Sequence, residues 1–209
     1  MTTAWLDCSS APPDGVLGLW AARGIARVAG YVPWGENAGW SLADVARVRA
    51  HGLPFLPIVI PDQPSQGHPW TFGVRSAMAA WARVRETCGR LQREAVLDLE
   101  AGSWSDPGGC LRAIAAWCHE GRVAGHRPWL YSSPEGIVGS AELRAKGRPA
   151  AVWIASWTAP AGQEGPEPAG LFGIPGLPDD LYSAPGQRAR QWAGNVTLDG
   201  WTVDRSIAD

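Results

Sequence analysis

The segment Ala95-Val96-Leu97-Asp98-Leu99-Glu100 combines the apolar character of a buried β-strand with two acidic residues at its end. Side chains of a strand alternate between two faces, so Asp98 and Glu100 share one face and the two leucines share the other. Acidic residues at the C-terminal end of a barrel strand are expected to project into an active site. The segment therefore predicts a catalytic strand, although an Asp-x-Glu pattern alone fits ordinary loop salt bridges equally well.

Seven other short apolar segments fit a strand pattern, and helical patterns separate several of them. Strands that alternate with helices are typical of a parallel sheet with crossover helices. We therefore predict an α/β fold, a single (β/α)8 TIM-type barrel over residues 1–209, with a short open α/β sheet as the alternative. The eight predicted strands are Ala4–Ser9, Arg27–Val32, Phe55–Ile60, Ala95–Glu100, Trp129–Ser132, Val152–Trp157, Arg190–Ala193 and Thr202–Ile207.

Capping residues and glycines mark the helices between these strands. Ser41 is a suitable N-cap and Gly52 a suitable stop for one helix, and proline is favoured in the first turn of another. Residues 159–189 are rich in Gly and Pro without a helical pattern, so the last third of the barrel is expected to be irregular, with a long loop over its mouth. The predicted helices are Ser41–His51, Val74–Leu91 and one that begins at Pro107 and ends at Gly121 or Gly125.

The composition narrows the classes of protein. Hydrophobic residues make up 45% of the chain, charged residues 18%, and the net charge is -2, which argues against disorder and against a nucleic-acid-binding surface. Thirteen tryptophans are unusual for this length; most of them are expected in the core, and any half-exposed indoles are suitable platforms for sugar rings. The four cysteines match neither a zinc motif nor a small disulfide scaffold, and Cys110 and Cys118 would lie about 12 Å apart on one helix.

Three further polar residues lie within other predicted strands. Asp7 lies in the first strand, Tyr131 in the fifth and Asp204 in the last. Neighbouring carboxylates raise one another's pKa, so that one can stay protonated as a general acid while another stays ionised. Glycoside cleavage uses such an acid and base pair.

In order and spacing, six sequence motifs resemble those of the family 25 glycoside hydrolases, which are lysozymes, over nearly the whole chain. The opening, with Pro12, Pro13 and Trp20, is also similar to a glycoside-hydrolase-like barrel family without an established activity. The six motifs are Trp5-Leu6-Asp7-Cys8-Ser9-Ser10, Leu97-Asp98-Leu99-Glu100, Leu130-Tyr131-Ser132, Val152-Trp153-Ile154-Ala155-Ser156-Trp157, Arg190-Gln191-Trp192 and Val203-Asp204.

The resemblance implies hydrolysis of the β-1,4 bond between N-acetylmuramic acid and N-acetylglucosamine in bacterial peptidoglycan. It implies that Glu100 is the general acid and that Asp98 acts as nucleophile or orients the acetamido group of the substrate. Asp7 and Asp204 would frame this site. No metal and no organic cofactor is expected.

Aromatic residues near the predicted strand ends could line a groove for sugar rings. The metal and nucleophile alternatives are weaker: Asp62 and His68 lie in a loop without a second histidine, and Cys8 faces away from Asp7. The candidate substrate-binding residues are Tyr31, Trp34, Tyr131, Trp157, Gln191 and Trp192.

Two other functions remain open from the sequence. A catalytically inactive barrel could bind the cell wall as a module of a phage virion or of a wall-associated protein, and an amidase of the same fold would require a zinc-ligand set, which the pattern lacks. The first residues contain no basic segment followed by a long apolar stretch, so neither a signal peptide nor a membrane span is predicted. The expected site of action is the cell wall, reached after release from the cytoplasm or as part of a phage particle; no nucleic-acid or membrane partner is expected.

Overall fold

The structure is a computed structural model that describes residues 2–34, 39–61, 72–99, 107–134, 151–174 and 188–209. Eight strands form a closed barrel in the order of the sequence. The strands are β1 (Thr3–Cys8), β2 (Arg27–Tyr31), β3 (Phe55–Val59), β4 (Glu94–Leu99), β5 (Arg127–Ser132), β6 (Ala151–Ala155), β7 (Arg188–Leu198) and β8 (Trp201–Ala208). The helices described are α1 (Asp14–Ala22), α2 (Leu42–Ala50), α3 (Val74–Cys88) and α4 (Pro107–Val123), and they follow the first four strands in turn.

The predicted barrel is confirmed, but it is a mixed barrel and not an all-parallel one. Strands β1 to β7 run parallel to their neighbours in sequence, whereas β8 pairs antiparallel with both β7 and β1. The two residues between β7 and β8, Asp199 and Gly200, have φ values of 54° and 80°. Two residues with positive φ form a hairpin turn, and so short a connection cannot return the chain to a parallel strand.

The capping and glycine signals of the sequence predict some of the helices and helix ends, but not all of them. Ser41 caps α2 as predicted, and its side chain and that of Asp44 form a reciprocal capping box. Of the two predicted ends of α4, Gly121 lies within the helix, whereas Gly125, with φ 74°, follows the last helical residue, Val123. α1 is not among the predicted helices; it begins after Pro13 without a side-chain cap.

The interior of the barrel is filled by apolar side chains on one face of each strand. Trp5 contacts Trp129 and Trp153 edge to face, with ring centroids 5.3 and 6.1 Å apart. At the N-terminal ends of the parallel strands, Glu94 pairs with Arg27 at 2.7 Å and with Arg127 at 3.1 Å. These ion pairs lie at the end of the barrel opposite to the one at which barrel active sites are found.

The other face of the strands packs against the helices. Most of the described tryptophans lie in this layer or in the interior, which favours a core role for them over sugar binding. Trp81 of α3 stacks on Trp117 of α4 with ring centroids 4.1 Å apart. Gly30 of β2 lies directly beneath Trp40, where a Cβ atom would overlap the indole.

The segment after β6 is irregular, as predicted, through residues 156–174. It lies alongside the C-terminal half of β7, where the Thr158 and Gly162 N–H groups donate to the carbonyls of Trp192 and Gly194. It also contacts β8, because Arg205 pairs with Glu164, and the start of β7, where the Arg188 guanidinium lies over the Phe172 ring. No helix among the described residues is both long and apolar enough to cross a bilayer.

The four cysteines, Cys8, Cys88, Cys110 and Cys118, are buried thiols. Burial raises the pKa of Cys88 and that of Cys118 to about 12, and it raises the pKa of Cys8 further. Such groups are packed, unreactive thiols at neutral pH. Cys8 lies in the layer between sheet and helices, on the face opposite to Asp7, as alternation predicts.

We expect a reducing agent to leave the melting temperature unchanged, because no disulfide constrains the unfolded chain. A native disulfide usually contributes about 2–4 kcal/mol, and its loss would be evident. Differential scanning calorimetry with and without a phosphine reductant measures the effect. A decrease of several degrees would contradict the assignment of all four cysteines as thiols.

Candidate active site

A cluster of polar side chains lies inside the barrel, towards the C-terminal ends of the parallel strands. Strand alternation gives it Asp7 from β1, Asp98 from β4, Tyr131 from β5, Gln191 from β7 and Asp204 from β8. The exposed fractions of Asp7, Asp98 and Gln191 are 4%, 2% and 1%. Burying carboxyl groups is costly unless they are paired or needed, so the cluster is a candidate functional site.

The Gln191 amide is the centre of this cluster. Its Nε2 donates to Asp7 Oδ2 at 3.2 Å and to Asp204 Oδ2 at 3.1 Å. Its Oε1 accepts hydrogen bonds from the Tyr131 hydroxyl and from Trp157 Nε1, both at 2.8 Å. One side chain thus joins residues of four other strands or strand ends.

Asp204 is also held by an irregularity in β7. The register between β7 and β8 shifts between Ala193 and Val196, where Asn195 has a positive φ of 55°. This conformation directs the Asn195 N–H to Asp204 Oδ1 at 2.5 Å. Bulges are frequent beside active sites because they redirect a backbone group or a side chain.

The neighbouring carboxyls of Asp7 and Asp204 both have raised pKa values. Burial, followed by the charge of Asp204, raises the pKa of Asp7 well above its ordinary value. Burial also raises the pKa of Asp204, but the Asn195 N–H, Asp7 and Gln191 donate hydrogen bonds that oppose this rise. The pair as a whole therefore retains a proton more readily than two separate, solvated carboxyls would.

Tyr131 stays a neutral phenol in this setting. Burial, and then the charges of Asp7, Asp98 and Asp204, raise the pKa of its hydroxyl far above the ordinary value. Asp98 and Tyr131 are paired residues of the β4–β5 register, so the phenol lies beside that carboxyl. The ring of Tyr131 packs edge to face against Trp153, with centroids 5.3 Å apart.

Glu100 lies outside the described residues, immediately after the pair Asp98-Leu99 at the end of β4. Its role as general acid stays a prediction. Asp62 and His68 also lie outside the described part of the chain. Within that part, no group of three or more His, Cys, Asp or Glu side chains has the arrangement of a metal site.

The predicted aromatic rim divides into two sets. Tyr31 packs against the interior cluster, and the Trp157 indole, 43% exposed, lies at the mouth and bonds to Gln191. Trp34 and Trp192 belong to the cluster on the outer side of the sheet. Trp34 packs on Phe72 on the outer side of the sheet.

Trp192 is the clearest correction to the predicted binding residues. It is 2% exposed in the layer outside the barrel, where the Arg205 guanidinium lies 4.8 Å from the centroid of its ring. Adjacent residues of a strand point to opposite faces, so Trp192 cannot face the interior when Gln191 does. Asp204 also differs from expectation, because it lies within an antiparallel strand and not at the end of a parallel one.

Several residues of the site are not among the predicted ones. Asn195 contributes its N–H to Asp204, and Gly194 leaves room for the Trp157 indole, which a Cβ atom would overlap. The Gly194-Asn195 pair is a recognisable signal for a bulge, since both residues tolerate unusual backbone conformations. Trp153 Nε1 donates to Ser206 Oγ at 3.0 Å inside the barrel, and sequence alone offers no signal for that pair.

Comparison with known proteins gives fold similarity without close sequence similarity. No family model matches the chain, and no curated protein matches it. An uncharacterized protein of B. stearothermophilus is 19% identical with a TM-score of 0.68, and the match covers 99% of this chain and 96% of that one. The bacterial lysozyme of Streptomyces coelicolor is 14% identical with a TM-score of 0.65, over 98% and 90% of the two chains. The catalytic domain of an endolysin from bacteriophage P40 of Listeria monocytogenes is 16% identical with a TM-score of 0.67, over 100% and 94%.

Proposed function

We propose that this protein is an N-acetylmuramidase that hydrolyses the β-1,4 bond between N-acetylmuramic acid and N-acetylglucosamine in bacterial peptidoglycan. The observation that carries the proposal is the cluster of the buried Asp7 and Asp98 with the half-buried Asp204, beside Gln191, at one end of the barrel. A barrel without a reaction to perform would gain nothing from withdrawing these carboxyl groups from water.

The structural neighbours support the same reaction. Two of the three described above are a bacterial lysozyme and the catalytic domain of a phage endolysin, and each matches nearly the whole of this chain. Sequence identities of 14% and 16% establish a shared fold and leave the activity to be tested. An endolysin-like protein would act on the wall after release from the cell or as part of a phage particle.

The proposed reaction divides the work between two residues at the end of β4. Glu100 gives its proton to the glycosidic oxygen that leaves. Asp98 stabilises the positive charge that develops on the sugar, either by attacking its anomeric carbon or by orienting the acetamido oxygen that does so. Water, which gives its proton to the deprotonated Glu100, then attacks the anomeric carbon and releases the sugar, so both routes retain its configuration. Neither requires a metal ion or an organic cofactor.

Sugar binding is assigned to the aromatic residues of the mouth. The half-exposed Trp157 offers an indole face, and Tyr31 and Tyr131 line the interior below it. Stacking of a sugar ring on an indole combines apolar burial with hydrogen bonding at the edge of the ring. Gln191 is assigned to the carboxyl groups and not to the sugar, because its amide is already fully bonded.

The proposal predicts new reducing ends on muramic acid when the protein digests purified peptidoglycan. Mass spectrometry of the released fragments, after borohydride reduction, identifies the sugar at the new end; heat-unfolded protein is the control. New ends on glucosamine, or cleavage of the peptide stems, would contradict the proposed bond. Binding to the wall without cleavage would instead show the inactive wall-binding module.

A further inference from the structure

The side-chain amide of Gln191 forms all of its hydrogen bonds within the protein. It is 1% exposed, and all four hydrogen-bonding positions of its amide are used within the protein. The two N–H bonds go to carboxyl oxygens, and the carbonyl oxygen receives two donors. A side chain with no free position serves its neighbours and not a ligand.

The orientation of this amide is set by Trp157. An indole N–H can only donate, so the atom that faces it must be the oxygen of the amide. A flipped amide would place its NH2 group against the indole N–H and its oxygen against two carboxyl groups. The two facing N–H groups would repel each other, and both carboxyls would lose an N–H donor, so the observed orientation of the amide is favoured.

With the oxygen fixed, the NH2 group must face Asp7 and Asp204. These two residues are direct cross-strand partners of β1 and β8, and both of their carboxyls accept a hydrogen bond from Gln191 Nε2. Two negative charges in so small a buried space would repel strongly, whereas one proton between them removes the repulsion. The two hydrogens of Nε2, one to each Oδ2 atom, hold the carboxyls in the geometry of that shared proton.

We propose that Gln191 is a positioning residue: its amide, oriented by the Trp157 indole, holds Asp7 and Asp204 as a pair with one hydrogen and one negative charge. As a statement about catalysis this rests on the proposed function, since the pair lies beside Asp98 in the proposed muramidase site. It assigns Trp157 two roles, because the indole that fixes the amide is also the exposed platform of the mouth.

Other titratable groups lie close to Asp7 and Asp204 and affect the titration of the pair. Asp98 on β4 and Tyr131 on β5 face it from inside the barrel, and Tyr31 on β2 adjoins Tyr131. Cys8 lies behind it on β1, within reach of both charges. Glu100 follows Asp98 by two residues, outside the described part of the chain.

The first test is a pH titration of the aspartate carboxyl carbons by NMR, with Asp7→Asn and Asp204→Asn to assign the signals. Gln191 lowers the pKa of both carboxyls, so Gln191→Ala should raise the apparent pKa of the pair. Gln92→Ala is the matched control, since Gln92 is a buried glutamine whose amide bonds to Arg49 and to the Glu94 carbonyl at the other end of the barrel. An unchanged titration in Gln191→Ala would overturn the proposal.

The role of Trp157 is tested by Trp157→Phe, which keeps an aromatic ring and removes the N–H. The apparent pKa of the pair should rise in the wild-type background and should not change when Gln191 is already Ala, because coupled residues are not additive. Trp201→Phe is the matched control, since the Trp201 N–H bonds to the Ser10 carbonyl and not to Gln191. Equal shifts in both backgrounds would overturn the orienting role.

Kinetic measurements distinguish a positioning role of Gln191 from an effect on protein stability alone. Gln191→Glu preserves shape but can donate only when its new carboxyl is protonated, so kcat should fall about tenfold, with KM little changed and with the alkaline limb of the pH profile displaced to lower pH. An unshifted profile would overturn the proposal. The expected titration in a protein that does not cleave peptidoglycan would support the Gln191 assignment and reject the proposed function, so the two failures are distinguishable.

Discussion

Replacing Glu100 by Gln is expected to lower the rate of peptidoglycan hydrolysis by about 10² to 10⁴-fold and to leave the binding of wall fragments largely unchanged. Gln has the shape of Glu but carries no proton that it can give to the leaving oxygen. The sugar contacts assigned to Trp157 and the two tyrosines do not involve Glu100. The loss should therefore be found in kcat and not in the dissociation constant of the fragments.

The measurement combines a turbidity assay on purified walls with fragment binding by calorimetry. Glu86→Gln is the matched control, because Glu86 is a helical glutamate whose side chain is 65% exposed and whose ion pair with Arg83 lies on the surface. Full activity in Glu100→Gln would reject Glu100 as the general acid. Equal losses in the two variants would indicate a general effect of the substitution and would reject the specific role as well.

Asp98→Asn should reduce hydrolysis to a similar degree, because the sugar would lose the negative charge or the oriented acetamido group on which the reaction depends. Asp98 is 2% exposed, so solvent cannot replace the missing charge. The same substitution removes a charge that raises the pKa of Asp7, so that pKa should fall. The second effect can be measured by NMR in the absence of any substrate.

Asp14→Asn is the control for this variant, since the side chain of Asp14 is 67% exposed at the start of α1. Circular dichroism in urea would show whether Asp98→Asn remains folded under the assay conditions. An Asp98→Asn protein that is folded and fully active would exclude both proposed roles of Asp98. A fall in the pKa of Asp7 together with full activity would place Asp98 in the cluster but outside the chemistry.

The strands and the capped helix α2 were predictable because their signals are local. All eight strands lie at the predicted places, with ends that differ by at most two residues except at the long C-terminal end of β7. The capping box of Ser41 and Asp44 uses residues three apart in the chain. The direction of β8 also has a local signal, the Asp199-Gly200 pair, which is typical of a hairpin turn and was outweighed by the regular parallel pattern.

The faces of the strands were harder to assign. Strands of a barrel are buried on both sides, so hydrophobicity does not distinguish the interior from the helix layer. Alternation shows that Gln191 and Trp192 face opposite sides, but it does not show which of them faces inward. In the structure it is the polar residue that lies inside and the tryptophan that packs under Arg205.

By itself, therefore, the sequence determined the order and approximate limits of the strands, the barrel fold and the acidic character of one end of it. Only the tertiary structure decided that Asp7 and Asp204, at opposite ends of the chain, become cross-strand partners under one amide. It also decided that Trp157 belongs to that group and that Trp34 and Trp192 do not. The physical reason is that alternation and capping act between near neighbours, whereas closure of the barrel joins distant residues through contacts that no local pattern encodes.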